Sequence, residues 1–151
     1  MPGIRSRSSP NYPLRTRKTI TFDGTAGNGA VGTVALFTIT GQVLINAIIE
    51  FCSTGLAGAT ATISLGIAAN ATAIHGNVTA TTILTGDFLG AGGRVPSSFS
   101  LDGAGVGNTA QNINKAIAQS LIFTVGTANI TGGVMVVDVW YTPISSGGLL
   151  T

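Results

Sequence analysis

GLAGATATISLGIAAN, Gly55–Asn70, is the stretch on which the fold turns. Ala59, Ala61, Ile63, Leu65 and Ile67 alternate with Thr60, Thr62, Ser64 and Gly66, a period of two that puts aliphatic side chains on one face of a strand and small or hydroxyl-bearing ones on the other. The stretch lies within Phe51–Gly86, which holds no Lys, Arg, Asp or Glu. A run of that kind either crosses a membrane or is covered by protein. Threonine favours the second: it is β-branched, suits a pleated surface, and its hydroxyl meets a neighbouring strand without the desolvation cost of a charge. The reading is a strand with one core face and one neutral face, on which Thr60, Thr62 and Ser64 would meet a sister copy of the chain.

The same period continues outward. In Val43–Phe51 the odd positions Val43, Ile45, Ala47, Ile49 and Phe51 are apolar, while Gln42, Asn46 and Glu50 fall on the other face. Further strands are predicted at Thr19–Asp23, Thr33–Thr40, Val78–Leu84, Ser120–Val125 and Val134–Thr142, divided by glycine-rich turns such as GTAGNGAVG and GAGG. In the last of these, Met135, Val137, Val139 and Tyr141 share a face opposite Asp138 and Trp140. Helical spacing occurs once, in Asn108–Gln119, which is predicted as a short helix crossing one end of the fold. Val31–Ile49 is charge-free and long enough to span a bilayer, but Thr33, Thr38, Thr40, Gly41, Gln42 and Asn46 interrupt it. Many short strands with glycine turns and no strand–helix alternation predict an all-β chain, an antiparallel β-sandwich of jelly-roll type.

A chain of 151 residues fits one domain with a sizeable core. Only 8% of it is charged, against about 25% in an average protein. Surfaces that poor in charge stay soluble when partners cover them. The charges are also segregated. Arg5, Arg7, Arg15, Arg17 and Lys18 precede every acid, whereas from Thr19 onward Arg94 and Lys115 stand against Asp23, Glu50, Asp87, Asp102 and Asp138, a net of −3. Residues 1–18, with Pro2, Pro10 and Pro13, are read as an extended basic arm, and residues 19–151 as the sandwich. Ile4, Tyr12 and Leu14 give the arm apolar anchors, so a tether laid across a protein surface fits it better than a genome-binding tail. Cys52 is the only cysteine and the N-terminus lacks the apolar segment of a signal peptide, which predicts assembly in a reducing cytoplasm.

Reactive chemistry has little to work with. His75 is the only histidine, sits in AIHGN beside no serine elbow, and reads as a surface or strand-end residue. Cys52 reads as a buried thiol. The scattered acids offer no metal-ligand spacing, and GAGVGN, Gly103–Asn108, lacks the GK[ST] of a phosphate loop. Three Asn-x-Thr sequons, at Asn70, Asn77 and Asn129, follow from the abundance of both residues. No catalytic, cofactor or metal site is expected.

The succession VGTVALFTITGQVLINAIIEFCSTGLAGATATISLGIAANATAI, followed by ILTGDF, resembles small virion proteins of tailed bacteriophages. In these a strand of the pattern V-LFT-TG-V leads to a second strand and then to an Ala/Thr-rich hairpin. The resemblance covers residues 30 to 90 and implies a head decoration, or cement, protein: a β-sandwich, often a trimer, bound to the major capsid protein on the outside of the virion. The implied role is non-enzymatic, stabilising a DNA-filled shell, and no residue-level site transfers with it. Two alternatives share the composition. One is a jelly-roll coat protein of a small icosahedral virus whose arm meets nucleic acid. The other is a tail or fibre component.

Overall fold

The computed structural model describes residues 12–90, 93–95 and 111–151. Their strands are β1 Leu14–Thr21, β2 Gly32–Phe37, β3 Ile39–Thr40, β4 Val43–Ala57, β5 Thr62–Ile67, β6 Asn70–Thr79, β7 Phe88–Gly90, β8 Gly93–Val95, β9 Gln111–Ile117, β10 Leu121–Gly126, β11 Gly132–Pro143 and β12 Leu149–Leu150, with one 3-10 turn at Ala80–Thr82. They form two main sheets. The first runs β1-β11-β4, with β7 and β9 sharing the far side of β4 and β8 beyond β7; the second runs β2-β10-β5-β6. The pair β3 and β12 makes a small ribbon. Every strand pair is antiparallel. The chain is an all-β antiparallel sandwich. Its core lies between the sheets and includes Val34 and Leu36 of β2, Ile63 and Leu65 of β5, Phe123 of β10 and Met135, Val137 and Val139 of β11.

Three expectations need correcting. The helix foreseen over Asn108–Gln119 is instead β9 where it is described. Ile117 meets Val43 and Lys115 meets Ile45 in its ladder, and Asn114 takes a φ of +39°, outside the right-handed helix. β4 is long and needs a partner on its far side, and that pairing outweighs the helical spacing. The arm boundary drawn after residue 18 falls inside β1, which pairs residue for residue with β11 from Leu14↔Tyr141 to Thr21↔Val134. The strand foreseen over Val78–Leu84 ends at Thr79 and passes into the 3-10 turn.

The strand read at Val43–Phe51 is real but changes phase midway. Ala47 and Ile45 stand opposite the consecutive residues Trp140 and Tyr141 of β11, so Asn46 is the extra residue of a bulge on that side, whereas against β9 the extra residue lies on β9. Its side-chain carbonyl accepts a hydrogen bond from the Thr142 hydroxyl at 2.9 Å. Before the bulge the odd positions Val43 and Ile45 are buried; after it the even positions Ile48, Glu50 and Cys52 are. Ala47, Ile49 and Phe51 turn to the opposite face and are half-buried there. A one-residue slip of this kind exchanges the two faces of a strand.

β6 is also irregular. Leu65 pairs with His75 and Ile67 with Asn70, so residues 71–74 have no opposite number on β5. This bulge lies close to Gly66, where an added Cβ would collide with the Asn70 carbonyl and come within 2.7 Å of that of Ala71. Gly76, the residue after His75, has open space where a Cβ would lie. Gly66→Ala is therefore expected to cost about 1–3 kcal/mol by overpacking, read as a lowered denaturant midpoint, whereas Gly76→Ala leaves the midpoint within about 0.5 kcal/mol.

Candidate functional site

The phase change in β4 carries Glu50 into the core, where it meets His75. The two side chains are sealed, and His75 Nε2 lies 3.0 Å from Glu50 Oε2. His75 Nδ1 lies 2.7 Å from the Gly76 carbonyl oxygen. A carbonyl only accepts, so Nδ1 carries a hydrogen; the second proton lies between Nε2 and the carboxylate. Burial opposes charge on the ring, but the Glu50 carboxylate, its hydrogen bond and the Gly76 carbonyl together outweigh that and hold the imidazole above its ordinary 6.5. Sequence alternation places Glu50 on the solvent face and His75 at the surface. The structure corrects both. The pair links β4 of one sheet to β6 of the other, a contact invisible to local pattern; its one signal is an acid and the only histidine lodged in strands otherwise without ionisable side chains except Cys52.

Near it, Cys52 is buried, its thiol pushed up by burial and by the charge of Asp87. Asp87 is itself fully buried and accepts a hydrogen bond from the Leu84 amide at 2.7 Å. Among the described residues no group of three His, Cys, Asp or Glu is placed to hold a metal ion. A cavity of about 160 Å³ opens between Gln42 and Ala116–Ala118, smaller than a usual small-molecule site and lined without charge.

The basic residues expected to lie in an arm do something else where they are described. Arg17 stands opposite Asp138 and grips it with two nitrogens, Nε at 2.9 Å and a terminal nitrogen at 2.8 Å. Arg15 reaches the same carboxylate at 2.8 Å and lies 5.2 Å from the centre of the Trp140 ring. The hydrogen bond from Arg17, opposed by burial and supported by Arg15, holds Asp138 below its ordinary range. Lys18 donates to the Ala35 carbonyl of β2 at 3.1 Å. These three cations are thus held by the sandwich. Ile4, Arg5 and Arg7 lie outside the described residues. Tyr12 and Leu14 are exposed, at 78% and 48%.

Each sheet presents a distinct outer face. On the first, ladder pairing sets Arg15 beside Trp140 and Ala47, Arg17 beside Asp138 and Ile49, and Thr19 beside Val136, Phe51 and Phe88. Phe51 and Phe88 are in ring contact at 5.1 Å. Aromatic and aliphatic side chains rimmed by arginine are the composition of protein interfaces. On the second sheet the rows are Thr33, Thr124 and Ser64, then Ala35, Ile122 and Gly66. No strand of this sheet contains Asp, Glu, Lys or Arg; its one titratable side chain, His75, points inward. Of the residues expected on a contact face, Thr62 stands on this wall half-buried and Thr60 lies in the turn before β5. Ser64 faces the same way but is 1% exposed, and its hydroxyl has no hydrogen-bond partner.

Comparison with known proteins returns no matching family model, no matching curated protein and no matching solved structure. Among the described residues no helix is long and apolar enough to cross a membrane.

The buried pair has a measurable signature. Glu50→Ala strands a buried imidazolium and is expected to cost about 3–5 kcal/mol. Because the folded pKa of His75 is raised, its contribution is fully present below pH 6.5 and is lost as pH rises through the folded value. The denaturant midpoint should therefore fall as pH rises above 6.5, and the fall should vanish in a Glu50→Leu/His75→Leu double variant.

Proposed function

We propose that this chain is a structural virion protein, a decoration or cement protein of a tailed-phage head that binds and stabilises the shell and acts as an oligomer, a trimer in the simplest arrangement. The observation that carries the reading is the sheet β2-β10-β5-β6, whose strands hold no Asp, Glu, Lys or Arg and whose one histidine points inward. A wall of Thr, Ala and Ile with no charge gains little from water and loses little on burial, so sister copies are its natural cover. The arginine-rimmed aromatic face of the other sheet and the segment preceding β1 are then available to the major capsid protein. Each contact is weak alone, and several on one oligomer act together through effective concentration.

The jelly-roll assignment is supported by strand order. The sheets β1-β11-β4-β7 and β2-β10-β5-β6 are linked so that β1 leads across to β2, β4 to β5 and β10 to β11. That order also favours a second reading, a coat protein that builds its own shell. Its genome-facing arm would rest on Arg5 and Arg7, since Arg15, Arg17 and Lys18 have partners in the sandwich. Two phosphate contacts give a salt slope of only about −2.

Deleting residues 1–18 would remove most of a strand; the clean truncation is residues 1–11. That variant should keep its midpoint and its oligomer but be lost from purified shells. Thr124→Lys, which places a charge mid-wall, should lower the solution mass to that of the monomer. Retention of both properties would overturn the proposal. Closed particles formed by the purified chain alone, seen by electron microscopy, would establish the coat-protein reading instead.

A further inference from the structure

The chain contains two lysines, Lys18 and Lys115, and both do the same unusual thing. Lys18 belongs to β1, at the margin of the first sheet, and stands opposite Val137, whose side chain is in the core. Its side chain therefore starts on the inner face of its sheet. It crosses to the other sheet and donates to the Ala35 carbonyl of β2, a border strand, at 3.1 Å. Lys115 repeats this on the opposite side of the sandwich. It belongs to β9, stands opposite the fully buried Ile45, and donates at 2.7 Å to the Ala73 carbonyl of β6, the other border strand of the uncharged sheet. Ala73 lies in the bulge of β6, where no β5 residue pairs with it.

A border strand offers unpaired N–H and C=O groups to any extended chain, and an uncharged one has no side-chain repulsion to prevent addition. Natural sheets protect such borders with inward-pointing lysines and with bulges. Here both borders of the one sheet whose strands contain no Asp, Glu, Lys or Arg receive a lysine from the other sheet. We infer that Lys18 and Lys115 are edge guards: each closes one flank of the sandwich against strand addition by a second copy of this chain, and so confines self-association to sheet faces. The ammonium group matters twice, occupying the carbonyl and placing a hydrated charge where a pairing strand would lie. This inference concerns the flanks and stands independently of the shell-binding proposal.

Lys18→Met and Lys115→Met, singly and together, keep the side-chain length and remove the charge and the donor. Sedimentation velocity across a concentration series and hydrogen exchange of the full chain provide the readout. The double variant should show a weight-average mass at least about two-fold above the parent at the highest concentration, with new amide protection on β2 and β6. Lys18→Arg/Lys115→Arg should behave as the parent. Should the double variant fail to fold, Lys115→Met alone, whose side chain is exposed, must show association with protection confined to β6. An unchanged mass in the folded variants, or protection on β5 and β10 without β2 or β6, would overturn the inference.

Discussion

Glu50 and His75 face each other inside the sandwich with a proton between them, and much of the architecture exists to allow that contact. Glu50 reaches the core only because Asn46 is inserted into β4 and reverses its phase. His75 reaches it opposite the buried Leu65, between two register shifts of the β5–β6 ladder. Two bulges in two sheets must agree for one hydrogen bond of 3.0 Å to form. A buried ion pair of this kind adds little net stability over a well-packed apolar pair, yet breaking it is costly. Its effect is therefore on register: any slip of β4 against β11, or of β6 against β5, would leave a carboxylate or an imidazolium alone in the core.

The sheets then divide the remaining chemistry. The β1-β11-β4 side holds the ion pairs of Asp138 with Arg15 and Arg17, and both lysines originate on its strands or on β9 beside it. The other sheet has no Asp, Glu, Lys or Arg of its own, its His75 points into the core, and charge reaches its borders as lysine heads. One face is thus suited to an arginine-rimmed aromatic contact, one to a dry contact among small side chains, and the flanks to neither.

The inward face of Thr62–Ile67 and of Val134–Thr142 was legible because each strand keeps one phase from end to end, although Ala59 and Thr60 fall in a turn and Ser64 is buried. Ile63 and Leu65, and Met135, Val137, Val139 and Tyr141, are buried as their spacing predicts. β4 was legible only as far as Ile45. Nothing in INAIIEF announces an extra residue at Asn46, because Ala47, Ile49 and Phe51 read as well on one face as Ile48 and Cys52 on the other. The basic segment misled for a different reason. Arg15, Arg17 and Lys18 lie beside prolines and look like an unstructured tail until Asp138, more than a hundred residues away, is placed opposite them. β9 shows the same override: Ile113, Ala116 and Ile117 fit a helix locally, and the unpaired side of β4 decides otherwise.

Placing β1 against β11 also fixes when the molecule can be finished. Arg17 and Asp138 are separated by 121 positions along the chain, and neither β1 nor β4 has its central neighbour until β11 exists. At ribosomal rates of 5–20 residues per second, roughly 6 to 24 seconds pass between the appearance of the first strand and that of its mate. The first sheet is therefore completed only once β11 has been made, by a loop closure of the long-range kind that makes β-sandwiches slow to fold. Throughout that interval the nascent chain carries an eight-residue strand with nothing to pair with, so the concentration of neighbouring nascent chains bears directly on yield.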